Sequence, residues 1–135
     1  MSGHDISRRA NFWAMTMAAG AVVVLAGPGL AHHSFAMFDS ENPVELIGTL
    51  REFKFTNPHT FIVLEVKDEK GEVTVWSLEG GSPSALVREG LTSTTIKSGD
   101  ELKIKVRPLR SGAPGGAWEI PTTFFKDGRP LPIKH

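Results

Sequence analysis

Gly80-Gly81-Ser82-Pro83-Ser84-Ala85-Leu86-Val87-Arg88-Glu89-Gly90 decides how the rest of the chain is read, because it carries the start and stop signals of one short helix amid strand patterns. Ser82 suits the N-cap, where a hydroxyl can accept an otherwise unpaired backbone amide hydrogen. Pro83 suits the first helical position, which needs no N–H, and Gly90 suits the left-handed stop. About two turns are expected between them. Glu79, just ahead, is expected to bond backbone amides at the helix start, where its charge complements the helix dipole.

On the amino-terminal side lie three extended stretches. Val44 to Phe55 carries Ile47, Phe53 and Phe55 in one alternation phase and Leu46 and Leu50 in the other, with Gly48 where a strand can bulge or bend. This is a long, coiled first strand. Asn57-Pro58 supplies a turn, and Phe61 to Val66 is rich in β-formers. A polar connection, Lys67 to Glu72, leads into Val73 to Leu78, so the second and third strands form a hairpin. On the carboxyl-terminal side Leu102, Ile104 and Val106 alternate with Lys103, Lys105 and Arg107, which describes a half-buried fourth strand. Ser111 to Gly116 reads as a loop, and Trp118 to Phe125 as a fifth strand with an edge or bulge at Pro121.

The order β-β-β-α-β-β with a long first strand predicts an all-β fold with one short helix. It is that of a small five-stranded Greek-key barrel of the oligonucleotide/oligosaccharide-binding (OB-like) type. A small antiparallel sandwich is the rival architecture. The barrel hosts many unrelated activities, so function has to be argued from a site.

The chain opens with Arg8 and Arg9, an apolar run from Phe12 to Ala26, and small residues at Gly29 and Ala31. That sequence of features predicts a signal peptide, residues 1–31, cut after Ala31. The apolar run is shorter than the roughly 20 residues of a membrane span, and Gly27-Pro28-Gly29 breaks a helix at its far end. Export by the Sec or the twin-arginine route, into the periplasm or outside the cell and without a membrane anchor, is expected. The remainder divides into an arm, 32–43, and a barrel domain, 44–135. With no cysteine in the sequence, neither a lipidated cysteine nor a disulfide is available. Removing Arg8, Arg9 and Asp5 from 15 basic and 15 acidic residues leaves 13 against 14. So nearly neutral a domain is a poor nucleic-acid binder, and Lys103, Lys105, Arg107 and Arg110 read as a solvated strand face.

Ala31-His32-His33-Ser34-Phe35 with Met37-Phe38-Asp39, then Gly48-Thr49, Asn57-Pro58-His59, Trp76-Ser77-Leu78-Glu79, Ser98-Gly99-Asp100, Pro108-Leu109-Arg110-Ser111-Gly112 and Gly115-Gly116 together resemble an exported bacterial family of unknown function, DUF6152. The resemblance runs over essentially the whole mature chain. It implies export and a single domain, and it carries over no catalytic residues.

Chemistry then rests on a few side chains. After a cut at Ala31 the new amine and the imidazole of His32 can chelate one metal ion, and His33 or His59 can add nitrogen ligands. An all-nitrogen set favours Cu(II), with Zn(II) behind. The plainer reading makes His32 and His33 a processing junction and lets His59 bond a backbone carbonyl after the Asn57-Pro58 turn. Phe35 and Phe38 are expected to pack on the barrel and hold the arm, with Met37 filling a gap between them. Trp76 and Trp118 are either core residues or the platform of a metal-free site for a protein, glycan or small ligand, together with the Ser111 to Gly116 loop. No serine lies in a nucleophile-elbow context, and spacing does not constrain a pairing of His59 with Glu79 or Asp39. The sequence thus predicts an exported binding module, with or without a metal, and leaves open whether it is also an enzyme.

Overall fold

The computed structural model describes residues 36–134. The signal segment, His32, His33, Phe35 and His135 lie outside them. The strands are β1 (Val44–Lys54), β2 (Phe61–Lys67), β3 (Val73–Glu79), β4 (Glu101–Pro108), β5 (Gly115–Ala117) and β6 (Thr123–Phe125), with the helix α1 (Pro83–Arg88) between β3 and β4. The hydrogen-bonded order β1-β2-β3-β5-β4 closes through a β1–β4 pairing, giving a five-strand closed barrel with β6 extending the β4 edge. β3 and β5 run parallel and the other neighbours antiparallel, which is the Greek-key arrangement expected. Among the described residues, no helix is long and apolar enough to cross a membrane.

β1 serves both sides of the closure. Its first half, Val44 to Thr49, pairs with β4, and Thr49 to Lys54 pairs with β2. The register slips between Leu50 and Glu52, so Arg51 is the extra residue of a bulge. One inserted residue reverses the alternation. Leu46 and Leu50 before it and Phe53 beyond it all reach the core, while Ile47 is exposed. The two hydrophobic phases in the sequence are therefore one inward face interrupted by a bulge, at Arg51 rather than at Gly48. Gly48 answers a different demand: a β-carbon there would lie 2.5 Å from the Glu65 carbonyl oxygen.

The fifth strand is broken. β5 begins inside the segment read as a loop and ends one residue beyond it, and β6 follows a 3-10 turn at Ile120–Thr122. Both pieces follow the same edge of β4, at Arg107 and Pro108 and then at Leu102 to Ile104. Pro121 cannot donate to the ladder, and the Thr122 hydroxyl donates instead to the Lys105 carbonyl, at 3.1 Å, across the gap.

Leu50, Ile62, Leu64, Leu78, Leu102 and Ile104 are fully buried, and Leu86, Leu91 and Ile96 close the barrel floor. Each such side chain contributes about 1.5–3 kcal/mol of burial. The helix begins as its sequence specifies, with the Ser82 hydroxyl accepting the Ala85 amide. Beyond it Gly90 takes φ +88° and its carbonyl accepts the Lys134 amide at 2.9 Å, tying the carboxyl-terminal tail to the floor.

The arm is stitched to the end of β4 and the residues just after it. Asp39 donates its amide to the Pro108 carbonyl, Arg110 donates its amide to the Met37 carbonyl, and Phe38 pairs with Leu109. Phe38 is buried as expected, whereas Met37 is 46% exposed and fills no gap. In this antiparallel pairing successive side chains alternate, so seating Phe38 turns Met37 outward. The Asp39 carboxyl is held below its ordinary 3.8 by the Asn42 side-chain amide first, then by the Glu41 and Asn42 backbone amides and Arg110. A depressed folded-state value means that the stabilisation is present above the unfolded value and is lost as pH falls through the folded one. Below about pH 3.8 the Glu41 and Asn42 amide resonances are therefore expected to move. In Asp39→Asn that acid transition should vanish from the NMR titration.

Candidate functional site

His59 is positioned by a clip between the loop after β1 and the end of β3. Thr60 is fully buried. Its amide and hydroxyl both donate to the Gly81 carbonyl, at 3.0 and 2.9 Å, and its carbonyl accepts the Gly80 amide at 2.8 Å. These bonds bring the preceding residue against the β3 terminus, where His59 Nδ1 lies 3.2 Å from the Gly80 carbonyl oxygen and 3.3 Å from Glu79 Oε1. Both neighbours are acceptors, so the neutral ring carries its hydrogen on Nδ1, and Nε2 keeps a lone pair. An imidazole held this way can take a proton or a metal ion at Nε2. A carbonyl or carboxylate on the other nitrogen is the usual support of a metal-bound histidine.

Glu79 thus meets His59 rather than the amides ahead of α1. Ser82 already caps that helix, and the pairing of Glu79 with Phe61 across the β2–β3 ladder turns its side chain to the side on which the loop delivers His59. Asp39, the other acid considered for His59, is engaged with Asn42 and Arg110.

A cavity of about 410 Å³ opens beside the His59–Glu79 pair. Phe38, Leu86, Trp118, Ile120 and Pro121 make its apolar walls, and Glu79, Glu89, Arg107 and Glu119 its charged rim. Arg107 bonds Glu119 at 2.8 Å across this rim. With Arg110 beside Asp39 at 3.8 Å, the basic residues of this edge are partnered rather than gathered into one field. No serine, threonine, cysteine or lysine is among the described residues lining this cavity.

Trp118 stands at the break in the fifth strand, its amide bonded to the Glu79 carbonyl at 2.9 Å. It is 2% exposed and packs edge-on against Phe53, with ring centres 6.0 Å apart. It is both core and cavity wall. Its Nε1 is buried without a hydrogen-bond partner among the described residues. Gly80 makes this packing possible, because a β-carbon there would overlap the indole nitrogen. Trp76 is half-buried, packs on the core from β3, and lies outside the cavity lining.

Of the three histidines considered as ligands, His59 is the one the structure describes. Among the described residues no group of three or more histidine or carboxylate side chains is arranged to hold a metal ion. The arm nevertheless enters at this site, since Phe38 shares the cavity wall with His59. Sequence reasoning did not find Arg107, Glu119 and Glu89. In sequence they look like ordinary surface; the break in the fifth strand brings Glu119 to Arg107 of β4, and Glu89 comes from the end of α1.

A family model matches residues 19–118, that of a family of unknown function, DUF6152. No curated protein matches the chain, and no solved structure does. The chain belongs to this family.

Proposed function

We propose that this DUF6152 member is an exported binding module that holds a copper or zinc ion between His59 and its own processed amino terminus. The observation that carries the reading is the hydrogen bond of His59 Nδ1 with the Gly80 carbonyl, with the Glu79 carboxylate 3.3 Å from the same nitrogen, which leaves Nε2 as a ready ligand. The described residues supply one nitrogen donor, and the arm supplies the others. His33 is five residues from Phe38, a reach of at most roughly 17 Å of extended chain. After a cut at Ala31 the free amine, His32 and His33 complete an all-nitrogen set suited to Cu(II) before Zn(II).

The test is amino-terminal sequencing of the exported protein, followed by Cu(II) titration of that material. Stoichiometric binding, lost in His32→Ala and retained by neither intact precursor nor blocked amine, is the expected result. Binding indifferent to His32 and to the amine would exclude the terminal chelate.

A further inference from the structure

We propose that the cavity beside His59 is a binding site for a small organic cation with an apolar body, an activity separate from metal binding. Its size falls within the range of small-molecule sites, roughly 300–1,000 Å³, and it is lined mainly by apolar side chains. Phe38, Leu86 and Ile120 offer hydrocarbon surface. Trp118 is fixed by its edge-on contact with Phe53 and cannot swing aside to fill the space. A preformed apolar space of this kind spares the ligand the cost of ordering the walls.

Charge selects the ligand's sign. Glu79, Glu89 and Glu119 face the cavity, against the single guanidinium of Arg107. Arg107 is already bonded to Glu119 at 2.8 Å, which removes it as a free anchor for an anion. Among the described lining residues the carboxylates Glu79, Glu89 and Glu119 outnumber the one guanidinium, Arg107. Glu79 has one oxygen near His59 and Glu89 is exposed at the helix end, leaving acceptors at the rim for an ammonium group. A carboxylate or phosphate ligand would instead meet repulsion there. The ligand class is therefore an amine whose hydrocarbon part enters between Phe38 and Leu86 while the ammonium remains at the carboxylate rim. Protonated amines gain most where the partner carboxylates are partly shielded from water, as Glu79 is.

The experiment is an NMR titration of the metal-free protein with 2-phenylethylamine and, separately, with 3-phenylpropionate, which has a similar body and the opposite charge. The buried Trp118 Nε1–H and the Leu86 methyls report on the cavity. The amine is expected to shift them and to bind at least about tenfold more tightly than the acid, a difference of about 1.4 kcal/mol. Glu79→Gln combined with Glu89→Gln should erase that preference with the fold intact. Glu119→Gln, which releases Arg107, should move the selectivity toward the acid. Equal or tighter binding of 3-phenylpropionate would overturn the proposal, as would the absence of cavity shifts with either probe at millimolar concentration. Because no metal is present, failure here leaves the histidine site standing, and failure of the histidine site leaves this one.

Discussion

Trp118→Ala is expected to lower the free energy of unfolding by about 3–5 kcal/mol, whereas Trp118→Phe should cost only about 1–2 kcal/mol, the balance of lost volume and a relieved polar group. The indole is 2% exposed, and it joins three parts of the fold: Phe53 beyond the β1 bulge, Gly80 at the end of β3, and the break between β5 and β6. Alanine would leave a large cavity at a place where two strands end, and their backbones are fixed by the Glu79 carbonyl and the Thr60 clip. Collapse around it is therefore limited. Phenylalanine keeps most of the ring while removing an N–H that has no partner among the described residues. Burying such a donor costs about 1–3 kcal/mol, so its removal offsets part of the lost packing. Urea unfolding, with the slope compared between variants, separates the two cases. A phenylalanine variant as unstable as the alanine one would mean that the indole N–H makes a strong bond in the folded protein.

Much of this barrel could be read from local chemistry because its devices are local. Ser82, Pro83 and Gly90 act within one helix, and the alternation of Leu102, Ile104 and Val106 needs only the β4 neighbours to bury it. The misreadings share a different cause. The bulge at Arg51 has no composition of its own, since any residue can be the inserted one, and its effect appears only where β1 changes partner. Gly115-Gly116 looks like loop because glycine is weak in strands. Its place in β5 is dictated by close approach, with a β-carbon on Gly116 falling 2.6 Å from the Arg107 carbonyl oxygen. The site was legible to the same degree. His59 and Trp118 were singled out by type, but the His59–Glu79 contact spans twenty residues and depends on the Thr60 bonds to Gly80 and Gly81. A long-range clip made from threonine and two glycines leaves no periodic mark.

That clip makes the metal chemistry graded and testable at residues remote from the arm. Glu79→Gln is expected to weaken Cu(II) binding by about 10- to 100-fold, the usual effect of losing the carboxylate that orients a ligating imidazole. His59→Ala, which removes the donor itself, should cost more, and both should leave thermal stability within about 0.5 kcal/mol because the side chains are partly exposed. The order follows from the geometry. The Gly80 carbonyl still holds Nδ1 when Glu79 is neutralised, so the ring keeps its orientation and loses only the neighbouring carboxylate charge. Without the ring, the terminal amine and the arm histidines would have to bind the ion with no fixed partner on the barrel. Competition against a chelator of known affinity, performed on the processed protein, measures both variants on one scale. Equal, undiminished affinity in the two variants would detach the metal from the barrel and confine it to the arm. A loss in His59→Ala unaccompanied by any in Glu79→Gln would assign the ring's orientation to the Gly80 carbonyl alone.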